Sequence, residues 1–109
     1  MFPPTVAGAW QLKGSQNFPA ATAPELIRRI GTRGWWSATY EGAGSATVEV
    51  YELTSSAGGL QMVQEWRPVA DTVVWYTRRY FVVVQWRGSD RSAVSAFVRA
   101  LEKQFADEK

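Results

Sequence analysis

A single α+β domain is the fold class that three features of this 109-residue chain predict: an antiparallel sheet of about five strands in the order β-α-β-β-α-β-β-α, with helices packed mainly on one face. Two hairpin-like pairs of strand-forming runs, 35–53 and 73–86, require antiparallel neighbours. A segment with a helix-start signal precedes each pair, and an amphipathic helix follows the second. The chain is 46% hydrophobic and 20% charged, the balance of an ordered globular protein. At this length folding buries roughly two-thirds of the unfolded surface, enough for one core. A ferredoxin-like core with an added strand and helix is one version of this order.

The first strand is expected at 9–13, where Trp10 and Leu12 alternate with Gln11 and Lys13 before a break at Gly14-Ser15-Gln16-Asn17. Thr22-Ala23-Pro24-Glu25 then fits a capping box, with the hydroxyl accepting from the Glu25 amide. Leu26, Ile27 and Ile30 form one face of that helix, and Gly31 ends it. Around a loop at Glu41–Ser45, Tyr40, Ala38 and Trp36 share a core-facing side with Ala46, Val48 and Val50. Trp35, Ser37, Thr39, Thr47, Glu49 and Tyr51 take the other side.

Thr54 to Trp66 reads as a short helix, because Leu60, Val63 and Trp66 recur at near-helical spacing although Gly58-Gly59 costs about 1 kcal/mol per glycine relative to Ala. After a break at Pro68 comes the aromatic hairpin, with Arg78-Arg79 at its turn. Asp90 caps a final helix to about Phe105, whose Val94, Phe97, Val98, Leu101 and Phe105 form an apolar stripe. The order contains an internal echo, one α-β-β unit repeated once.

The aromatic hairpin carries large apolar side chains at odd and even positions alike, so both of its faces need cover. Its register puts Val74, Tyr76, Phe81 and Val83 on one side and Val73, Trp75, Val82 and Val84 on the other, and only one set can face the terminal helix. The first set, extended by Trp35 and Tyr51, is a candidate partner-binding face; cover by the middle helix is the alternative.

Several chemistries have little to work with. There is no Cys, hence no disulfide framework, thiolate nucleophile or zinc ribbon, and no His, which removes the usual general base and the commonest transition-metal ligand. No metal or other cofactor is called for. Glu49 and Glu52 are three apart on a strand and point to opposite faces, so they cannot share a proton. Gly42-Ala43-Gly44 resembles the start of a dinucleotide fingerprint but leads into a strand, and Gly58-Gly59 lacks a P-loop lysine; a hairpin loop and close packing are the simpler roles. A net charge of +2 does not indicate nucleic acid. Arg78, Arg79 and Arg87, with Arg91 nearby in sequence, are candidates for the rim of a small-ligand pocket.

Tyr40 to Tyr51, Gln61-Met62-Val63-Gln64-Glu65-Trp66-Arg67-Pro68, Arg79 to Val84 and Ala96 to Glu102 together resemble a bacterial domain-of-unknown-function family found mainly in exported proteins. The resemblance implies an exported, non-enzymatic domain and brings no catalytic residues. Similar hairpins favour Gly or Asn where this chain has Arg78, so either the turn avoids positive φ or that residue is strained.

The functional expectation is a non-enzymatic interaction domain that self-associates or binds a protein partner through the aromatic face. The alternative is a small-ligand carrier with an aromatic pocket rimmed by arginines. The N-terminal residues carry no basic segment followed by an apolar run, and no eighteen consecutive residues are apolar. The chain as given therefore reads as neither signal-bearing nor membrane-spanning, and as periplasmic or secreted if a signal has been removed, otherwise cytoplasmic.

Overall fold

The computed structural model describes residues 2–67 and 69–107, so the expected break at Pro68 lies outside the described residues. The elements are β1 (Thr5–Val6), β2 (Trp10–Pro19), a 3-10 turn (Ala20–Thr22), α1 (Glu25–Ile30), β3 (Thr32–Gly42), β4 (Ser45–Leu53), α2 (Ala57–Glu65), β5 (Thr72–Thr77), β6 (Tyr80–Arg87) and α3 (Arg91–Asp107). One six-stranded sheet, antiparallel throughout, runs β1-β2-β3-β4-β6-β5. The α+β class and the antiparallel sheet are those the sequence predicts, with a two-residue strand added at the front.

Alternation sets the registers. Tyr40 faces Ala46, Ala38 faces Val48 and Trp36 faces Val50, while Val74 faces Val83 and Tyr76 faces Phe81. The second strands of the two α-β-β units are the ones that meet, Tyr51 opposite Phe81. In a ferredoxin-like core each helix would cross between parallel strands; here β2 and β3, joined through α1, are direct antiparallel neighbours. Only β4-α2-β5, with β6 between its strands, keeps that split crossover, so the fold is not a ferredoxin-like variant.

The helices occupy both faces. Phe97, Leu101 and Phe105 of α3 pack in one core with Trp10, Tyr40, Val48, Val50, Val82 and Val84. The Trp10 and Phe97 rings lie 4.8 Å apart, and Tyr40 meets Phe97 edge-on at 5.3 Å. On the opposite face Ile27 of α1 and Met62 of α2 form a second core with Tyr51, Leu53, Phe81 and Val83. The expectation of helices mainly on one face thus holds for α1 and α2 but not for the longest helix. A sheet with apolar residues on both sides requires this arrangement, since a single layer would leave one core wet.

Two local expectations change. The polar run 14–17 continues β2 instead of ending it, because the register shifts between Leu12 and Gly14 and leaves Lys13 as a bulge. The capping box does not form: the Thr22 hydroxyl donates to the Pro19 carbonyl (2.7 Å) and accepts from the Trp35 indole (3.0 Å), and α1 starts after Pro24 with no side-chain cap. α2 does form, with Gly58 and Gly59 buried at its start. A Cβ on Gly59 would lie 2.6–2.8 Å from Tyr76 atoms and one on Gly58 3.1 Å from Ile30 Cγ2, so the glycines let the helix sit directly on β5 and α1. Asp90 caps α3 as expected, its Oδ1 accepting from the Ala93 amide at 2.8 Å.

Candidate interaction surface

The six residues expected to form a partner-binding face do share one side of the sheet, in an aromatic row that crosses five strands. Phe18, Trp35, Tyr51, Phe81 and Tyr76 stand directly opposite one another in turn. Ring separations are 4.3 Å for Phe18 with Trp35, 5.2 Å for Trp35 with Tyr51 and 6.4 Å for Tyr51 with Phe81. Most of this row is not available to a partner. Tyr51 is 2% exposed, Phe81 0% and Val83 5%, beneath α1, α2 and Trp66, which meets Phe81 at 5.4 Å. Trp35 and Val74 are half-buried, and only Tyr76, at the end of the row, is open at 41%. Cover by the middle helix, helped by α1, is therefore the arrangement adopted, and the broad free face is corrected to its last residue.

The three arginines do not form one rim. Arg78 and Arg79 make the β5–β6 turn, whereas Arg87 ends β6, eight residues on; at about 3.3 Å per strand residue the separation is roughly 26 Å. Arg78 adopts φ 54°, the strained alternative for a side chain in that turn. Its Nη2 donates to the Ala106 carbonyl at 3.2 Å, placing a cation at the α3 C-terminus where the helix dipole favours it. Arg87 lines a polar depression of about 390 Å³ with Thr47, Asp71, Gln85 and Trp86.

A groove of about 550 Å³ lies instead between α3 and the β5–β6 pair. Val73, Trp86, Val94 and Val98 supply its apolar lining, and Arg91, Arg99, Asp71 and Glu102 supply charges of both signs. Sequence reading placed Arg91 near the candidate rim but missed Arg99, which the helical repeat puts two turns along the same side of α3.

The Glu49 carboxyl is displaced by its surroundings. Burial raises its pKa, partly offset by a hydrogen bond from Tyr51, whose own hydroxyl is pushed up by burial and by the neighbouring carboxylate. The residues directly opposite Glu49 are Ser37 and Val83, so neither strand brings a second carboxylate against it. Among the described residues no group of three or more His, Cys, Asp or Glu could hold a metal ion, and no helix is long and apolar enough to cross a membrane.

What sequence reading overlooked is the edge. β5 ends the sheet, with β6 its only strand neighbour among the described residues. Its residues, Thr72-Val73-Val74-Trp75-Tyr76-Thr77, include no charge, glycine or proline. The Trp86 amide donates to the Asp71 carbonyl at 3.0 Å, which fixes the phase of the ladder. In an antiparallel pair hydrogen-bonded positions alternate, so Val73, Trp75 and Thr77 bond inward to β6. Thr72, Val74 and Tyr76 therefore turn their N–H and C=O groups outward. Among the described residues the exposed large apolar ones are Tyr76 at 41%, Leu60 at 48% and Val69 at 55%, all in the stretch from α2 to β5.

Compared with known proteins, the chain matches no family model, no curated protein and no solved structure.

Proposed function

We propose that the protein is a non-enzymatic interaction domain that recruits an extended strand at its β5 edge. One observation carries this reading: the last strand of the sheet offers three outward pairs of backbone groups on an uncharged, β-branched and aromatic strand, beside the exposed apolar residues of α2 and β5. Main-chain bonding would supply affinity, and the side chains of alternate residues would supply selectivity. The buried aromatic row serves this role indirectly, as the rigid platform behind the edge. Residue-resolved amide exchange tests the reading with the synthetic peptide Thr-Val-Val-Trp-Tyr-Thr in excess. The Thr72, Val74 and Tyr76 amides should slow at least ten-fold while Val73, Trp75 and Thr77, already bonded to β6, stay as they were. Outward amides that ignore the peptide in a chain dilute enough to be monomeric, or protection at another strand, would end it.

The α3 groove favours a second reading, a carrier for a small apolar molecule bearing a carboxylate, held over Trp86 by Arg91 or Arg99. Titration with an aromatic carboxylate should shift the Trp86 indole resonance, and should cease to do so in Arg99→Glu. An unmoved resonance removes that reading.

A further inference from the structure

The edge reading above leaves its partner unnamed; resting on that reading, we infer that the partner is a second copy of this chain, paired antiparallel β5 to β5 about Val74 so that two sheets become one of twelve strands.

Backbone phase narrows the choice of register. Outward-bonding residues can bond only with outward-bonding residues, and residues directly opposite one another must lie on the same side of a continuous sheet. A two-fold axis through Val74 satisfies both conditions and uses all three outward positions: Val74 faces the second copy's Val74, and Thr72 faces its Tyr76 in both directions. Three hydrogen-bonded pairs give about six new main-chain bonds. Moving the axis to Trp75 would leave Thr72 without an outward partner inside the strand.

The side chains fit the same register. On the α1–α2 side the pairs are Val74 with Val74 and Thr72 with Tyr76; on the α3 side Val73 stands against Trp75. Five of the six positions thus set a β-branched residue against an aromatic or another β-branched residue, the cross-strand pairs that stabilise sheets best, and the sixth, Thr77, faces the second copy's Asp71. The flanking charges agree. Asp71 precedes β5 and Arg78-Arg79 follow it, so antiparallel alignment carries the acid of each copy to the basic turn of the other, whereas parallel alignment would stack like charges. No charge falls within the paired strand to oppose it.

Because the native chain lacks cysteine, Val74→Cys places a lone thiol on the axis. A hydrogen-bonded antiparallel pair has Cα atoms about 5.5 Å apart, within the span of a disulfide. Under mild oxidation this variant should cross-link at least ten times faster than Ser92→Cys, a control on the exposed outer side of α3. Light scattering on the native chain should report a dimer, and Tyr76→Lys and Thr72→Lys should each raise its dissociation constant at least ten-fold. Two separate lysine variants guard against loss of fold at either one. A chain that stays monomeric at millimolar concentration while the peptide still protects the outward amides overturns the second copy as partner and leaves strand addition standing. A monomer indifferent to the peptide overturns both. A dimer untouched by either lysine, or one that cross-links no faster than the control, lies on another surface and overturns this pairing.

Discussion

The two ends of the sheet are built on opposite principles. At one end β1 is two residues long, and the β2 segment beyond it carries a bulge at Lys13, the polar residues Ser15, Gln16 and Asn17, and Pro19 at its close. Pro3 and Pro4 lead into β1, and the Pro4 carbonyl accepts from the Leu12 amide at 2.9 Å. Each of these features discourages another chain from adding to the edge. At the other end β5 runs six residues with none of them. The contrast teaches that an unblunted edge is not forced by the fold, since the same chain blunts its opposite edge in several ways. That is why the β5 edge, and not the buried aromatic face, is where recognition is placed.

The contrast breaks most severely at the loop that clamps the blunted end. Gly42 lies at φ 153°, and a Cβ there would come within 1.9 Å of the Ala9 carbonyl oxygen, a backbone atom that also accepts from the Ala43 amide. Gly42→Ala should destabilise the fold by about 3 kcal/mol, combining backbone strain with displacement of the β1–β2 turn. Urea unfolding measures this; a loss below 1 kcal/mol would mean the turn yields freely and contributes little to the fold. At the open end the corresponding contact is between α2 and β5. Gly59→Ala gains about 1 kcal/mol of helix propensity but drives a methyl into the Cβ and Cγ of Tyr76, for a net cost of about 1.5 kcal/mol. Gly58→Ala, whose methyl presses on the Ile30 Cγ2 at 3.1 Å and otherwise makes ordinary contact with Leu53, is a milder overlap and should be close to neutral by the same assay.

How far the sequence reaches depends on the range of the interaction that decides each feature. The β3–β4 and β5–β6 registers follow from period-two alternation and turn length, both local, and they were legible residue by residue. So was the Asp90 cap. Thr22 was misread because a tertiary partner, the Trp35 indole, competes for the hydroxyl that a local motif would use. The 14–17 stretch looked like a loop since composition cannot distinguish a break from a bulge after which pairing resumes. The site depended on a longer-range choice. Knowing that Tyr51 and Phe81 share a face does not tell which helix covers them, and the open edge exists only because β6, not β5, joins β4. The scattered arginine rim was the avoidable error, as the eight residues from Arg79 to Arg87 already exceed the width of a small pocket.

A smaller effect is expected where the N-terminal segment is fastened to the first core. The Tyr40 hydroxyl donates to the Pro3 carbonyl at 2.7 Å, and burial pushes its pKa up to about 12 from an ordinary 10. Tyr40→Phe should cost about 1 kcal/mol, the usual net value of such a bond. The pH dependence has a definite sign. A pKa higher in the folded than in the unfolded chain means that the neutral phenol is the form the fold favours, so its contribution is complete below pH 10 and drains away as the pH climbs towards 12. Tyr40→Phe should therefore lose part of the alkaline decline seen in denaturation midpoints between pH 10 and 12. Tyr51, raised as well, keeps its own share. An unchanged decline would show that Tyr40 has no part in it.

The smallest effect separates folding from edge protection at the blunted end itself. Gly14 follows the bulge, its φ lies outside the left-handed region, and a Cβ would meet nothing within 4 Å. Gly14→Ala should accordingly stabilise the domain by about 0.5 kcal/mol, chiefly by restricting the unfolded chain. If glycine is kept there to weaken β2 as a template, the same variant gains stability and also begins to associate through its β2 edge. The Lys13 bulge and Pro19 remain in place, however, and each is sufficient to interrupt a regular ladder with an incoming strand. Light scattering on Gly14→Ala combined with Tyr76→Lys, which closes the β5 edge, should thus report a monomer, and urea unfolding should show it more stable than Tyr76→Lys alone. Association of that double variant would show that the blunted edge relies on its glycine, and would narrow the difference between the two edges to one residue.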